Sequence, residues 1–380
     1  MDQIPTASSN GNGNGATLYM SMELSSSSWL LAFSMGGVKH RRVKVLGGDQ
    51  EGTLAAIKKS KRHFGLEEDA RVVSCYEAGR DGFWIHRWLS SEKVENVVVD
   101  SSSIEVDRRA RHAKTDRLDA EKLLDLLVRH DRDERHRVLR VVRVPSAEQE
   151  DARRLHREIE RLKKERTGHT NRIRGLLVTL GIRLKPGVEF PDDLAEARQW
   201  NDLPVPEGMR EELTREHARL QLLKEQIVEL ERRRSTRVKR PVDQADQKAS
   251  KLVLLKGIGA TGGWILSKEF FGWRTFHNRR EVGAAAGMTG TPFASGSSRH
   301  DQGIAKSGNA RIRALMVELS WRWLTWQPNS QLSRWFHERF GAGGKRHRRV
   351  GIVALARKLL IALWRFVEQD VVPEGAIVAK

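Results

Sequence analysis

The 380-residue chain has one cysteine, Cys75, and only two tyrosines. A lone cysteine excludes an internal disulfide and any metal site built from several thiolates. It stands in an apolar strand pattern and reads as a core residue. No apolar run is long enough to span a bilayer. The N-terminus has no basic segment followed by an apolar one, so no secretory signal is expected and the protein reads as cytoplasmic. Aromatics are sparse at 6%, yet seven of the 11 tryptophans lie from Trp264 onward and are expected mostly in helix cores. Residues 1–17 form a polar, glycine-rich tail expected to be disordered. What the chain has in excess is positive charge: 68 Lys and Arg against 49 Asp and Glu, a net charge of +19. A solvated surface would account for charge alone, but here the basic residues cluster, which favours nucleic acid as partner.

Four carboxylates stand out against this basic background. Glu23 ends the apolar run Leu18–Met22, and Glu77 ends Arg71–Tyr76. Asp116 and Asp119 stand three apart at the start of an expected helix, Thr115–Arg129, with Thr115 as its N-cap. Two acids in a first turn are commonly dipole compensation. Placed with acids at two strand ends, they can instead converge on one site. Asp100, ending a further strand, is a competing candidate. A converging carboxylate cluster repels itself and needs hard divalent cations, Mg²⁺ above all. Two such ions can clamp the attacking and leaving oxygens of a phosphodiester. The adjoining stretch carries Arg108, Arg109, Arg111 and Lys114, suited to a phosphate backbone beside the acids.

The first domain, 18–142, is expected to contain strands at Leu18–Met22, Trp29–Ser34 and Val38–Leu46. A helix at Glu51–Phe64 follows, then a strand at Arg71–Tyr76, a helix at Asp81–Ser90, a strand at Val94–Val99 and the Thr115 helix, with Leu118, Leu123, Leu124, Leu126 and Leu127 buried. A three-strand meander followed by alternating helix and strand is an α/β layer fold with the order of the ribonuclease-H-like fold. Residues 143–245 read as a basic spacer of two long helices, 146–184 and 206–240, separated by a proline-containing break. Leu155, Ile159, Leu162, Ile173, Leu176 and Leu180 of one, and Leu213, Leu220, Leu223, Ile227 and Leu230 of the other, keep coiled-coil spacing, interrupted by Arg166 and His169. A solvated helix hairpin and a dimerising arm along nucleic acid both fit.

Residues 246–376 form a mainly helical C-terminal domain. Leu254–Ala260 has the look of a helix-hairpin-helix, with Lys256, Gly257 and Gly259 placed to meet a phosphate, although tight helix turns use the same glycines. Gly287–Arg313 reads as a flexible polar loop rich in serine, with Arg299, Lys306, Arg311 and Arg313 on it or flanking it. By composition alone it is a phosphate-binding loop without chemistry.

These motifs together resemble the DEDD transposases of bacterial insertion sequences, the insertion-sequence one-ten family. The resemblance spans about residues 18–376 and rests on the strand-end acids, Arg108–Ala120, the basic spacer, Gly257-Ile258-Gly259, Ser295-Gly296, Gly303–Asn309 and Gly351–Lys358. It implies a RuvC-like N-terminal domain, a coiled-coil spacer and a C-terminal transposase domain. By position it assigns Glu23, Glu77, Asp116 and Asp119 as Mg²⁺ ligands and Ser295 as the nucleophile. The family usually has Asp where Glu23 stands. The resemblance further implies a covalent phosphoserine–DNA intermediate and dimers that pair on DNA. It also implies a composite site shared between protomers, a structured guide RNA from the element, and nucleoid association. Two other readings fit the same residues: a Holliday-junction or RNase-H-type nuclease with Ser295 structural, and a DNA-binding relative that has lost its site.

Overall fold

The computed structural model describes residues 16–37, 39–101, 116–132, 138–295 and 298–379, and of Asp116, 292–295 and 298–302 the backbone alone. The chain divides into two compact units, Met1–Pro145 and Ser146–Lys380.

The first unit is built on apolar runs. Leu18–Leu24 (β1), Ser28–Ser34 (β2) and Arg41–Leu46 (β3) form an antiparallel meander. Helix Gln50–His63 (α1), capped by Asp49, leads to Val72–Glu77 (β4). Helix Trp84–Ser91 (α2) leads to Glu95–Val99 (β5), and Asp116–Asp131 is α3. β4 pairs parallel with β1, and β5 pairs parallel with β4, giving the order β3-β2-β1-β4-β5. β1 is central and nearly continuous in apolar side chains because both of its faces are covered. Leu18, Met20 and Met22 join Ala56, Ile57, Ile85 and Leu89 on the α1/α2 face. Tyr19, Val73, Cys75 and Val99 join Ala120, Leu123, Leu124 and Leu127 on the α3 face. β3 is an edge strand of alternating exposure carrying Arg41, Arg42 and Lys44, charges that discourage edge pairing.

Each expected element of this unit is present, with ends shifted by a few residues. Leu118 is a correction: it is 49% exposed. The stripe of α3 that meets the sheet runs through Ala120, Leu123, Leu124 and Leu127, and Leu118 falls off it. The Thr115 cap lies outside the described residues.

In the second unit the first spacer helix is not continuous. Ala147–Asp151 (α4) ends before Arg154–Thr179 (α5), which stops short of residue 184. Ser146 and Gln149 form a capping box on α4. The proline-containing break holds a short helix, Phe190–Glu196 (α6), opened by Pro191. Glu207–Lys239 (α7) spans about 50 Å. It packs antiparallel on α5: Ile159 and Leu162 meet Leu223, Ile227 and Leu230, while Ile173 and Leu177 meet Leu213 and Leu220. The polar interruption has a partner, since His169 Nδ1 lies 2.6 Å from the buried Glu216, which also accepts from Arg172 and Arg219.

Gln244–Val253 (α8) and Ala260–Leu266 (α9) follow; a single π-type turn, Ser267–Phe271, continues α9. Arg279–Ala285 (α10) leads to strands Gly290–Ser295 (β6) and Ser298–Ile304 (β7). Ala310–Trp326 (α11), Gln331–Phe336 (α12) and Lys345–Gln369 (α13) complete the chain. Their core gathers Leu252, Phe270, Met316, Trp323, Leu359 and Leu363. Trp264, Trp273, Trp323 and Trp364 are buried as expected, whereas Trp321 and Trp326 are 40% and 50% exposed. The expected loop at 287–313 is overturned: its middle is an antiparallel hairpin. Backbone pairing tolerates its polar, glycine-rich composition, and no apolar alternation announced it.

Candidate active site

Along β1 and β4 the last parallel pair is Met22 with Tyr76, so Glu23 and Glu77 occupy the next positions on adjacent strands. Strand alternation puts Glu23 on the face of Tyr19 and Ser21, and Glu77 on the face of Val73 and Cys75. That is the face α3 covers. Three contacts fix the direction of α3. Tyr19 Oη donates to Asp131 Oδ2 at 2.9 Å, Ser21 Oγ to the Ala120 carbonyl at 2.6 Å, and Cys75 Sγ lies 3.9 Å from the Leu123 carbonyl. The helix therefore runs against β1, and its first turn lies at the sheet end that carries Glu23 and Glu77. Asp116 stands four positions before Ala120, at the head of the sheet-facing stripe, and Asp119 four before Leu123. Glu23 and Asp119 are half-buried and Glu77 is exposed. Asp100 follows β5, its amide bonded to the Arg140 carbonyl and its carboxylate 3.9 Å from the Arg140 guanidinium.

The four positions thus share one end of one sheet. Among the described residues, no three His, Cys, Asp or Glu side chains stand close enough to hold an ion; the side chain of Asp116 is not among those described. The donor set suits Mg²⁺ in kind, being carboxylate oxygens alone. The lone thiol, Cys75, is fully buried, and burial pushes it up and keeps it protonated.

Ser295 ends β6 and pairs with Ser298, so two residues connect the strands. The hairpin root is tightly built. A Cβ at Gly287 would come 2.3 Å from the Ser307 carbonyl oxygen, and one at Gly308 would come 2.6 Å from that of Ala285; both residues have positive φ. Asn309 then caps α11 by accepting from the amides of Arg311 and Ile312. Lys306 is exposed and left-handed at φ +57°.

Two expected nucleic-acid contacts are engaged inside the protein. Arg311 pairs with Glu160 at 2.8 Å and Glu269 at 3.4 Å. Arg313 donates to the carbonyls of Ala286 and Lys306, holding the hairpin root. Lys256 lies over the Trp326 ring at 5.5 Å. Gly257 turns at φ +97° against Trp326, and Gly259 starts α9 in extended conformation. Arg108, Arg109, Arg111, Lys114 and the side chains of Ser295 and Arg299 lie outside what is described.

A buried cluster joins the spacer to the C-terminal helices. Glu269 is 1% exposed and receives Arg157 Nε and Nη2 at 2.7 and 2.9 Å, with His156 Nε2 at 2.8 Å. Burial alone would raise this carboxyl, but the bonds from His156 and Arg157 outweigh it and hold it at about 2. Sequence reading missed the cluster, because its partners are over a hundred positions apart.

Residues 37–182 match a DEDD transposase family of the IS110 type, and residues 249–334 match the transposase IS116/IS110/IS902 family. A Sinorhizobium fredii protein named as transposase y4rJ is 40% identical over 374 residues, covering 95% of this chain and 94% of its own. The transposase for insertion sequence element IS1328 of Yersinia enterocolitica is 28% identical over 57% of this chain and 63% of its own. That for element IS1111A of Coxiella burnetii is 25% identical over 54% of this chain and 53% of its own. With both units matched by family descriptions and a relative aligned almost end to end, the chain belongs to the IS110 family of insertion-sequence transposases, enzymes of DNA transposition.

Proposed function

We propose that this transposase cuts and rejoins DNA with Ser295 as nucleophile and a carboxylate site of Glu23, Glu77, Asp116 and Asp119 on an RNase-H-like first domain. The observation that carries the reading is the sheet end where β1 and β4 place Glu23 and Glu77 beneath the first turn of α3. In the reaction, Ser295 Oγ loses its proton and attacks phosphorus. A phosphoserine bond forms, and the scissile phosphodiester releases a hydroxyl-ended strand. Attack by the hydroxyl of another strand end on that phosphoserine restores a phosphodiester and returns the serine, so no bond energy is lost and no co-reactant is consumed. Mg²⁺ held by the four carboxylates would supply neutralisation of the phosphate and ease ionisation of the serine. Exposed Lys306 and, by its position on β7, Arg299 are suited to the phosphate charge. The hairpin carries Ser295 at its tip beside Gly296, where absence of a Cβ allows close approach of DNA. Assembly as dimers pairing on DNA, and a structured RNA that selects the target, complete the proposal.

The test is denaturing electrophoresis of the full chain with labelled donor DNA, the element's RNA and Mg²⁺. Wild type should give a covalent protein–DNA adduct. Ser295→Ala should lose adduct and recombination, while Ser297→Ala and Ser298→Ala retain both. An adduct surviving in Ser295→Ala would move the nucleophile along the hairpin. Cleavage without adduct in every variant would support a metal-dependent nuclease instead.

A further inference from the structure

A groove of about 1000 Å³ lies between α13, α10 and the root of the β6–β7 hairpin. Its wall holds Arg279, Arg280, Arg346, Arg349, Arg357 and Lys358, with Lys306 at the hairpin exit, and among the described residues no acidic one. None of these cations is ion-paired among the described residues. This contrasts with the spacer, where Arg157, Arg172 and Lys163 each meet a glutamate. The floor is apolar, formed by Trp335, Val350, Val353, Ala354 and Ile361. Val350 is 60% exposed, and Lys358 Nζ stands 4.6 Å from the Trp335 ring centre.

Helix α13 breaks a local rule in the same place. It starts with Lys345, Arg346, His347, Arg348 and Arg349, with no acid in its first turn and no side-chain cap. Cations at a helix N-terminus oppose the helix dipole and repel one another. A bound polyanion removes that penalty. A local rule broken without internal compensation points to a functional site.

We propose that this groove binds a single-stranded segment of nucleic acid, its phosphates on the cationic rim and its bases against the apolar floor. A duplex turns its bases inward and would need only the cations. A groove that pairs cations with a partly exposed apolar and aromatic floor is built for a strand whose bases are open. The groove also adjoins Gly290 and Gly303 at the hairpin root, roughly 17 Å along β6 from Ser295 at 3.3 Å per residue. The strand in the groove therefore lies within reach of the hairpin that carries the proposed nucleophile. The proposal deepens the transposase reading by naming what the C-terminal unit holds, and its test contains no recombination step.

Fluorescence anisotropy of the full chain would be measured with a labelled single-stranded DNA, a single-stranded RNA of the same sequence and a blunt DNA duplex. Arg346→Ala/Arg349→Ala should weaken single-strand binding at least tenfold. It should also lower the magnitude of the salt slope by about 1.4, from about 0.7 for each phosphate no longer neutralised. Duplex binding should change less than threefold. The control Lys58→Ala/Lys59→Ala, two exposed charges on α1, should leave single-strand binding within twofold. Tighter RNA than DNA binding would identify a guide as the source, and the reverse a donor or target strand. Equal loss for duplex and single strand, equal loss in the control, or no loss would overturn the groove. If Ser295→Ala keeps its adduct while the groove variant loses single-strand binding, the groove stands and the serine mechanism falls.

Discussion

Glu23 and Glu77 follow the last buried residues of two adjacent strands, which brings two charges to one sheet end. Glu23 is half-buried and Glu77 is exposed, and each is the next position after a paired apolar residue. The proposed metal ligation would give this pairing a role, and would make the two carboxylates unequal to a neutral isostere. We expect Glu77→Gln to lower recombination at least about 100-fold, the scale of removing one preorganised charge-stabilising group, with the melting temperature and DNA binding unchanged. Glu23→Asp should keep activity, because a shorter carboxylate still supplies a hard oxygen, whereas Glu23→Ala should lose it. Recombination assays beside thermal melts decide both; a fully active Glu23→Ala would remove Glu23 from the site.

At the scale of elements, the buried Glu269 cluster ties the basic spacer to the C-terminal helices. Its carboxyl sits at about 2 in the folded protein against an ordinary value of 4.5. A depressed carboxyl contributes stability that is present above pH 4.5 and is lost as pH falls toward 2. The shift corresponds to about 3 kcal/mol. We expect the urea midpoint of wild type to fall between pH 5 and pH 3. In Glu269→Gln the midpoint should already be low at pH 5, by an amount equivalent to about 3 kcal/mol because Arg157 and His156 lose their buried anion, and it should fall less on acidification. Parallel pH profiles in the two proteins would assign the acid sensitivity to other carboxylates, of which Glu216, Glu231 and Asp243 are also held low. Legibility in the sequence divides along the same physical line. The strands β1 and β4 and the α5/α7 seam could be read because apolar periodicity records burial. The β6–β7 hairpin could not, since backbone hydrogen bonds hold it and leave no pattern in side chains. Two of the candidate acids, Glu23 and Glu77, were legible as charges at strand ends, and Asp116 and Asp119 as a pair in a first helical turn. The internal duties of Arg311 and Arg313 were not, because a surface arginine and an ion-paired one look alike until Glu160 and Glu269 are placed in space.

At the scale of the whole molecule, several acids are used internally. Glu216, Glu231, Glu269 and Asp246 each neutralise one or more basic neighbours inside the second unit. The net charge of +19 therefore falls on surfaces such as the start of α13, where cations stand without carboxylate partners among the described residues. Charge of this kind binds nucleic acid by releasing condensed counterions, and the signature is salt dependence rather than affinity at one condition. With six or more phosphates engaged on basic surfaces other than the α13 groove, binding to duplex DNA should weaken by about a thousandfold between 50 and 200 mM salt. Nitrocellulose filter binding across a salt series measures the slope directly. A mutant lacking one of the proposed carboxylate ligands, such as Glu77→Gln, should keep the same slope, because on this proposal the acids act on chemistry and the basic surface acts on capture. A slope near zero in the wild type would mean that the excess charge serves solubility alone, and a slope that changes with Glu77→Gln would mean that capture and chemistry share one set of residues.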